Sequence, residues 1–124
     1  MEFDLTTGAS TWSGATKLAR TLEEQGFSGM LYTETGQVPW MQITAAAIAA
    51  PSLTFSTGIA VAFPRSPMVS AQVAWELAGE TQGKFRLGLG SQVKGHIVRR
   101  YSSEFSQPAK RLRDYVLAVK ACTR

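Results

Sequence analysis

The chain has 124 residues, 44% of them hydrophobic and 18% charged, with 13 basic against 9 acidic side chains and a formal net charge of +4. That length suits one domain burying roughly two thirds of its unfolded surface, and the composition is that of a globular protein rather than a disordered or fibrous one. No apolar run reaches the ~20 residues a membrane span needs. Cys122 is the only cysteine and His96 the only histidine, so an intrachain disulfide and a cysteine-based metal cluster are both excluded and no metal site is expected.

Residues 2–7 alternate apolar and polar side chains and stop at Gly8, the pattern of a first strand. Thr11 or Ser13 then caps a helix with Ala15, Leu18, Ala19 and Leu22 on one face, closed by Gly26. A second strand is expected over residues 28–34. After a turn region at 36–39, a helix from about Trp40 presents Met41, Thr44, Ala45 and Ile48 as a stripe towards a sheet and ends at Pro51. The β-branched and aromatic run 53–63, interrupted by Gly58, predicts one long third strand. Ser66 followed by Pro67 marks the start of a third helix lined by Val69, Val73 and Leu77. The Gln82-Gly83 turn leads to a fourth strand over 84–89. A short helical piece at 94–101 precedes a last helix that begins near Pro108 and buries Leu112, Tyr115, Val116 and Val119.

Strands alternating with crossover helices imply an α/β protein with a parallel sheet, whose chemistry gathers at the carboxyl ends of the strands. A closed (β/α)8 TIM barrel takes about 250 residues, so four βα units amount to a half-barrel. Its two edge strands would expose unpaired backbone groups.

Candidate residues follow from that geometry. Gly88-x-Gly90 opens like a dinucleotide fingerprint, but the position of the third glycine holds Val93 and the fingerprint fails. The two glycines then form either a plain tight turn or a place where a flat ligand approaches backbone. His96, close to Lys94, Arg99, Arg100 and Tyr101, reads as a ligand contact, a general acid or a surface residue. Glu34 ends the second strand, where a carboxylate suits binding or proton transfer. Asp4, inside the first strand, is expected to be structural. Trp12 and Trp40 follow strands one and two and fall on the prospective active face, whereas Trp75 suits core or interface. The basic residues of the second half lie on predicted helix faces without an interleaved aromatic ladder, so nucleic-acid binding is not expected. The acidic start, Met1-Glu2-Phe3-Asp4, lacks the basic-then-apolar order of a secretory signal, and a cytoplasmic protein is expected.

Residues 57–67 (TGIAVAFPRSP), 71–74 (AQVA) and 83–92 (GKFRLGLGSQ) resemble the third and fourth βα units of the luciferase-like flavin monooxygenases. The pattern 90–96 (GSQVKGH) with Arg99-Arg100-Tyr101 is similar to the deazaflavin-dependent oxidoreductase branch of that superfamily. The resemblance runs from the first strand to the fourth helix. It implies that residues 1–124 are the N-terminal half of a TIM-barrel domain, a fragment lacking the C-terminal half and with it the loops after strands seven and eight that usually hold the cofactor phosphate. The implied cofactor is coenzyme F420, with FMN as the alternative. The implied reaction is hydride transfer between a small organic substrate and the deazaflavin, or flavin-dependent monooxygenation.

By the same resemblance the third strand carries a bulge with a non-proline cis peptide at Ala60-Val61. The cofactor would be bordered by Glu34, Ala60, Val61, Gly90, Ser91, Gln92 and His96, and no catalytic residue is assigned. His96 stands where relatives often have Asn, and Thr35 where many have His. A different class of function, a noncatalytic half-barrel that pairs with a second copy of itself, fits the same exposed edges.

Overall fold

The computed structural model describes residues 1–124. Four strand–helix units follow in order: β1 (Asp4–Thr7), α1 (Trp12–Glu24), β2 (Gly29–Tyr32), α2 (Pro39–Ala49), β3 (Thr54–Thr57), β4 (Ala60–Val61), α3 (Pro67–Glu80), β5 (Phe85–Arg86), β6 (Leu89–Gly90) and α4 (Pro108–Cys122). A π-helical turn, His96–Arg100, sits between β6 and α4. The main sheet has the order β1-β2-β3-β5 and every pairing is parallel. It is the expected α/β arrangement of four barrel units, unclosed, with β1 and β5 as open edges.

The helices start where the sequence places caps. Thr11 Oγ1 accepts from Gly14 N at 3.0 Å, and Ser66 Oγ from Val69 N at 3.2 Å ahead of Pro67. Gly26 and Gly83 end α1 and the α3 turn at φ of +80°, a conformation strained for a residue with a side chain and freely adopted by glycine.

Alternation along the strands sends Met30, Tyr32, Phe55 and Phe85 to the helix-covered face, where they meet Ala19 and Leu22 of α1, Ile43 and Ala46 of α2 and Leu77 of α3. Burying such side chains contributes roughly 1.5–3 kcal/mol each. The opposite face carries Asp4, Thr6, Leu31, Thr54, Ser56 and Arg86. A second core lies towards the carboxyl ends of the strands. There Val61, Ala62 and Phe63 pack with Ala71, Ile97, Tyr115 and Val119, and Tyr115 OH donates to Ser66 O while accepting from the buried Ser70 hydroxyl.

Three expectations are corrected. The stripe Met41, Thr44, Ile48 points outwards: Met41 is 55% and Ile48 80% exposed, and α2 buries Pro39, Gln42, Ile43 and Ala46 instead. The helix has no charged residue, so its sequence marks no solvent face. Its small side chains allow close approach to the sheet on another side, and Gln42 is held there by Ser10, donating to Ser10 O at 2.7 Å. Likewise α3 buries Ser70, Ala71 and Leu77 while Val69 is exposed, and Trp75 lies outside the core, 66% exposed. The third and fourth strands are each broken in two. β3 pairs with β5, and β4 pairs separately with β6.

Candidate functional site

The break in the third strand lies at Gly58-Ile59, and the cis peptide bond is there, two residues earlier than the expected Ala60-Val61. Gly58 is where the backbone can press against a neighbour. A Cβ built on it would lie 2.4 Å from Leu31 Cδ2, whereas Ala60 and Val61 are fully buried in regular pairing. The break in the fourth strand lies beside it, at Leu87-Gly88. Thr57 bridges the two: its hydroxyl accepts from Gly88 N and donates to Gly88 O, both at 2.8 Å, replacing ladder bonds that the divergent backbones cannot make. Pairing resumes with Ala60 N donating to Gly88 O at 2.8 Å and Ala62 N to Gly90 O at 3.0 Å. Glycine is required at 88 and 90 by contact: a Cβ on Gly88 would meet Thr57 O at 2.0 Å, and one on Gly90 would meet Ile59 Cγ1 at 2.7 Å.

Glu34 is buried, 4% exposed, and its oxygens are occupied by the protein. Oε1 accepts from Val61 N at 2.7 Å and from Arg65 Nη1 at 2.6 Å, and Oε2 accepts from Arg65 Nη2 at 2.5 Å. Arg65 Nη1 also donates to Val61 O at 2.9 Å, and its guanidinium lies 5.2 Å from the Trp40 ring centroid. This forked pair ties the end of β2 to β4 and to the start of α3. The Glu34 hydrogen bond raises the Arg65 pKa above the usual arginine value, so the cation is permanent. Arg65 was legible as part of the motif following the third strand. Its pairing with Glu34, 31 residues away, was not.

Gly90, Ser91 and Gln92 are half-buried where β6 ends, with Gln92 in the left-handed region at φ +57°. His96 is exposed and opens the π-helical turn, which is anchored by the buried Ile97. Arg100 of that turn donates to Thr35 O and, at 2.9 Å, to Gly36 O, so the segments following β2 and β6 are held together. The structure thus gathers Glu34, Ala60, Val61 and Gly90 about one pair of strand breaks, with Ser91 and Gln92 adjoining. It puts His96 on the next turn, outside the Glu34 network. Trp40 joins that network through Arg65. Trp12 does not, and lies exposed on the groove described next.

A concavity of about 930 Å³ opens between α2 and α3 on the helix side, and none of the seven predicted cofactor residues lines it. No cluster of histidine, cysteine and carboxylate side chains is present that could hold a metal, and no helix is long and apolar enough to cross a membrane.

A flat redox ring requires accessible backbone with little side chain above it, and an anionic tail requires cations with spare donors. Gly58 and Ile59 are partly accessible beside Gly88 and Gly90, and Lys94, His96 and Arg99 are exposed beyond them. These residues fit such a group in both respects.

Comparison with known proteins gives the family and the fold. The model of the luciferase-like monooxygenase family matches residues 2–124. The uncharacterized protein Rv1360 of Mycobacterium tuberculosis is 39% identical over 107 residues, which is 86% of this chain and 32% of that protein. Among solved structures, the FMN-bound oxygenating constituent of 3,6-diketocamphane monooxygenase from Pseudomonas putida superposes with a TM-score of 0.82 at 19% identity, over 98% of this chain and 40% of its own. The coenzyme F420-dependent tetrahydromethanopterin reductase of Methanopyrus kandleri gives 0.80 at 16% identity, over 93% and 38%. The chain therefore spans about a third of the length of its curated relative and about two fifths of these structures. Matched by the family's model along nearly its whole length, the chain belongs to the luciferase-like monooxygenase family.

Proposed function

We propose that residues 1–124 form the ring-facing N-terminal half of a flavin- or deazaflavin-dependent oxidoreductase, acting on a small organic substrate with coenzyme F420 as the hydride carrier. The observation that supports this most is the side-by-side pair of breaks at Gly58-Ile59 and Leu87-Gly88. They bare backbone at the end of the sheet where parallel α/β folds bind ligands. When bound, the cofactor supplies the redox ring that takes or returns a hydride. The chain supplies position. The backbone of Gly58, Ile59 and Gly90 forms the bed, Ser91 and Gln92 border it, and Glu34 holds the bed in place through Val61 N and Arg65. His96, Lys94 and Arg99 offer donors to an anionic tail.

FMN with monooxygenation is the second reading, and the FMN-bound structural neighbour favours it. Fluorescence titration of the chain with coenzyme F420 and with FMN tests both. The expected result is weak binding, with Kd near about 1 mM, tighter for F420, and no sustained turnover, since half of the rim comes from elsewhere. A tighter response to FMN moves the assignment to the flavin. Tight stoichiometric binding of either refutes the half-site reading.

A further inference from the structure

The stripe Met41, Thr44, Ala45 and Ile48 of α2 forms one wall of the groove between α2 and α3. Val73 and Leu77 of α3 form the other, over a floor of Leu53 and Phe55. This groove lies between two inner units of the series. α1 packs against α2 and α3 against α4, while α2 and α3 stand apart. Further barrel strands would join at the β1 and β5 edges, beyond α1 and α4, and would leave the groove uncovered. α2 carries no charged residue, a composition that suits a helix enclosed on both sides and not one with a water-facing side.

Trp12, Met41 and Ile48 line the groove, and Val69 stands one turn before Val73 on the same side of α3. Between 45% and 80% exposed, these four side chains present on the order of 500 Å² of apolar surface, towards the upper end of what a monomer shows in one patch. Interfaces are a little over half apolar, so such a face corresponds to about 800 Å² per partner, the size that stable complexes bury. The patch is also self-complementary, a ridge beside a groove. A two-fold axis across the helix pair sets the α2 ridge of each copy, led by Ile48, into the groove of the other. The charged residues lining the groove, Glu76 and Glu80 of α3, then face an uncharged helix instead of each other. We infer that the α2–α3 face is a self-association surface on which a second copy of this chain packs its own α2, giving a layer of four helices outside the sheet. The barrel interior and its edges take no part, so the inference is independent of the cofactor reading.

Sedimentation equilibrium on the chain and on α2 variants tests the inference. The wild type is expected at twice its 13.4 kDa mass. Ile48→Glu and Met41→Glu should each weaken dimerisation by roughly 30-fold or more, because each puts a carboxylate into an apolar interface beside Glu76 and Glu80. Ile48→Met keeps the apolar ridge and should keep the dimer. Both positions are exposed in the single chain, so circular dichroism should report an unchanged fold for all three variants. Phe3→Glu, an exposed position just before the edge strand β1, should leave the association constant unchanged. A monomeric wild type, a dimer indifferent to Ile48→Glu and Met41→Glu, or one dissociated by Phe3→Glu and not by the α2 substitutions overturns the inference.

Discussion

The first two units and the last two are written in the same strand–helix alternation, yet they build different things. From β1 to β3 the sheet is an unbroken ladder, Asp4 to Gly29 to Thr54 and on to Thr7, Tyr32 and Thr57, over one apolar core. Beyond Thr57 the third and fourth strands break together, a hydroxyl replaces the ladder, and a second core with a buried ion pair holds the backbone. The regular region is a scaffold whose stability comes from apolar burial. In the broken region, individual polar contacts and missing side chains fix the backbone at the one place where a ligand can meet it.

Substitutions in the broken region should therefore be far more costly than those at open positions elsewhere; Gly29 in the regular ladder is the exception, since a Cβ there would meet Thr54 O at 2.3 Å. Gly88→Ala puts a Cβ 2.0 Å from the Thr57 carbonyl oxygen, and urea denaturation should register a loss of about 3 kcal/mol or more. Gly36→Ala, with open space around it, should stay within about 0.5 kcal/mol. A wild-type-like Gly88→Ala would remove the close approach. Glu34→Gln strips the counter-charge from a guanidinium that is 14% exposed, and should cost about 3 kcal/mol by the same assay. Lys110→Ala, which loses an exposed pair with Asp114, should cost less than about 0.5 kcal/mol.

Thr57→Val leaves both Gly88 backbone groups without the hydroxyl and should cost about 2 kcal/mol, whereas Thr57→Ser should recover most of it. Equal losses in the two variants would mean that packing, and not the hydroxyl bridge, holds the strands.

The smallest effect belongs to the scaffold and has the opposite sign. Tyr32 OH is buried in the regular region with no hydrogen-bond partner, and burial pushes its pKa up to about 12. Tyr32→Phe should gain about 1 kcal/mol at neutral pH. The folded chain holds this proton more tightly than the unfolded one, whose tyrosine titrates near 10. The contribution is thus complete below pH 10 and is lost as pH rises through 10 to 12. Thermal unfolding against pH should show that alkaline decline in the wild type and a shallower one in Tyr32→Phe.

Much of this architecture was legible from residue order. Strand–helix alternation, the Ser66-Pro67 start of α3 and the turns at Gly26 and Gly83 stand where local chemistry puts them, because caps and positive-φ turns are decided by adjacent residues. The orientation of α2 was not legible, since a helix without charges does not declare its solvent side. The double strand break was legible only in part: the resemblance implied a bulge in the third strand, two residues late, and nothing pointed to the break in the fourth. Residues 53–63 keep their β-branched character straight through it, and only Gly58 hints at the interruption, which depends on Gly88, 30 positions later. Within the site, Glu34 and Gly90 could be named from their places at strand ends. That Glu34 is occupied by Arg65 and Val61 N follows from long-range contacts that no spacing encodes.

The most direct test of the division between scaffold and ligand-facing region is amide chemical-shift mapping of the isotopically labelled chain at millimolar coenzyme F420. The account predicts perturbations concentrated at Gly58 to Val61 and Gly88 to His96, with β1 and the groove between α2 and α3 unmoved. Perturbations centred on Met41, Ile48 and Leu77, or an unchanged spectrum at saturating cofactor, would contradict it.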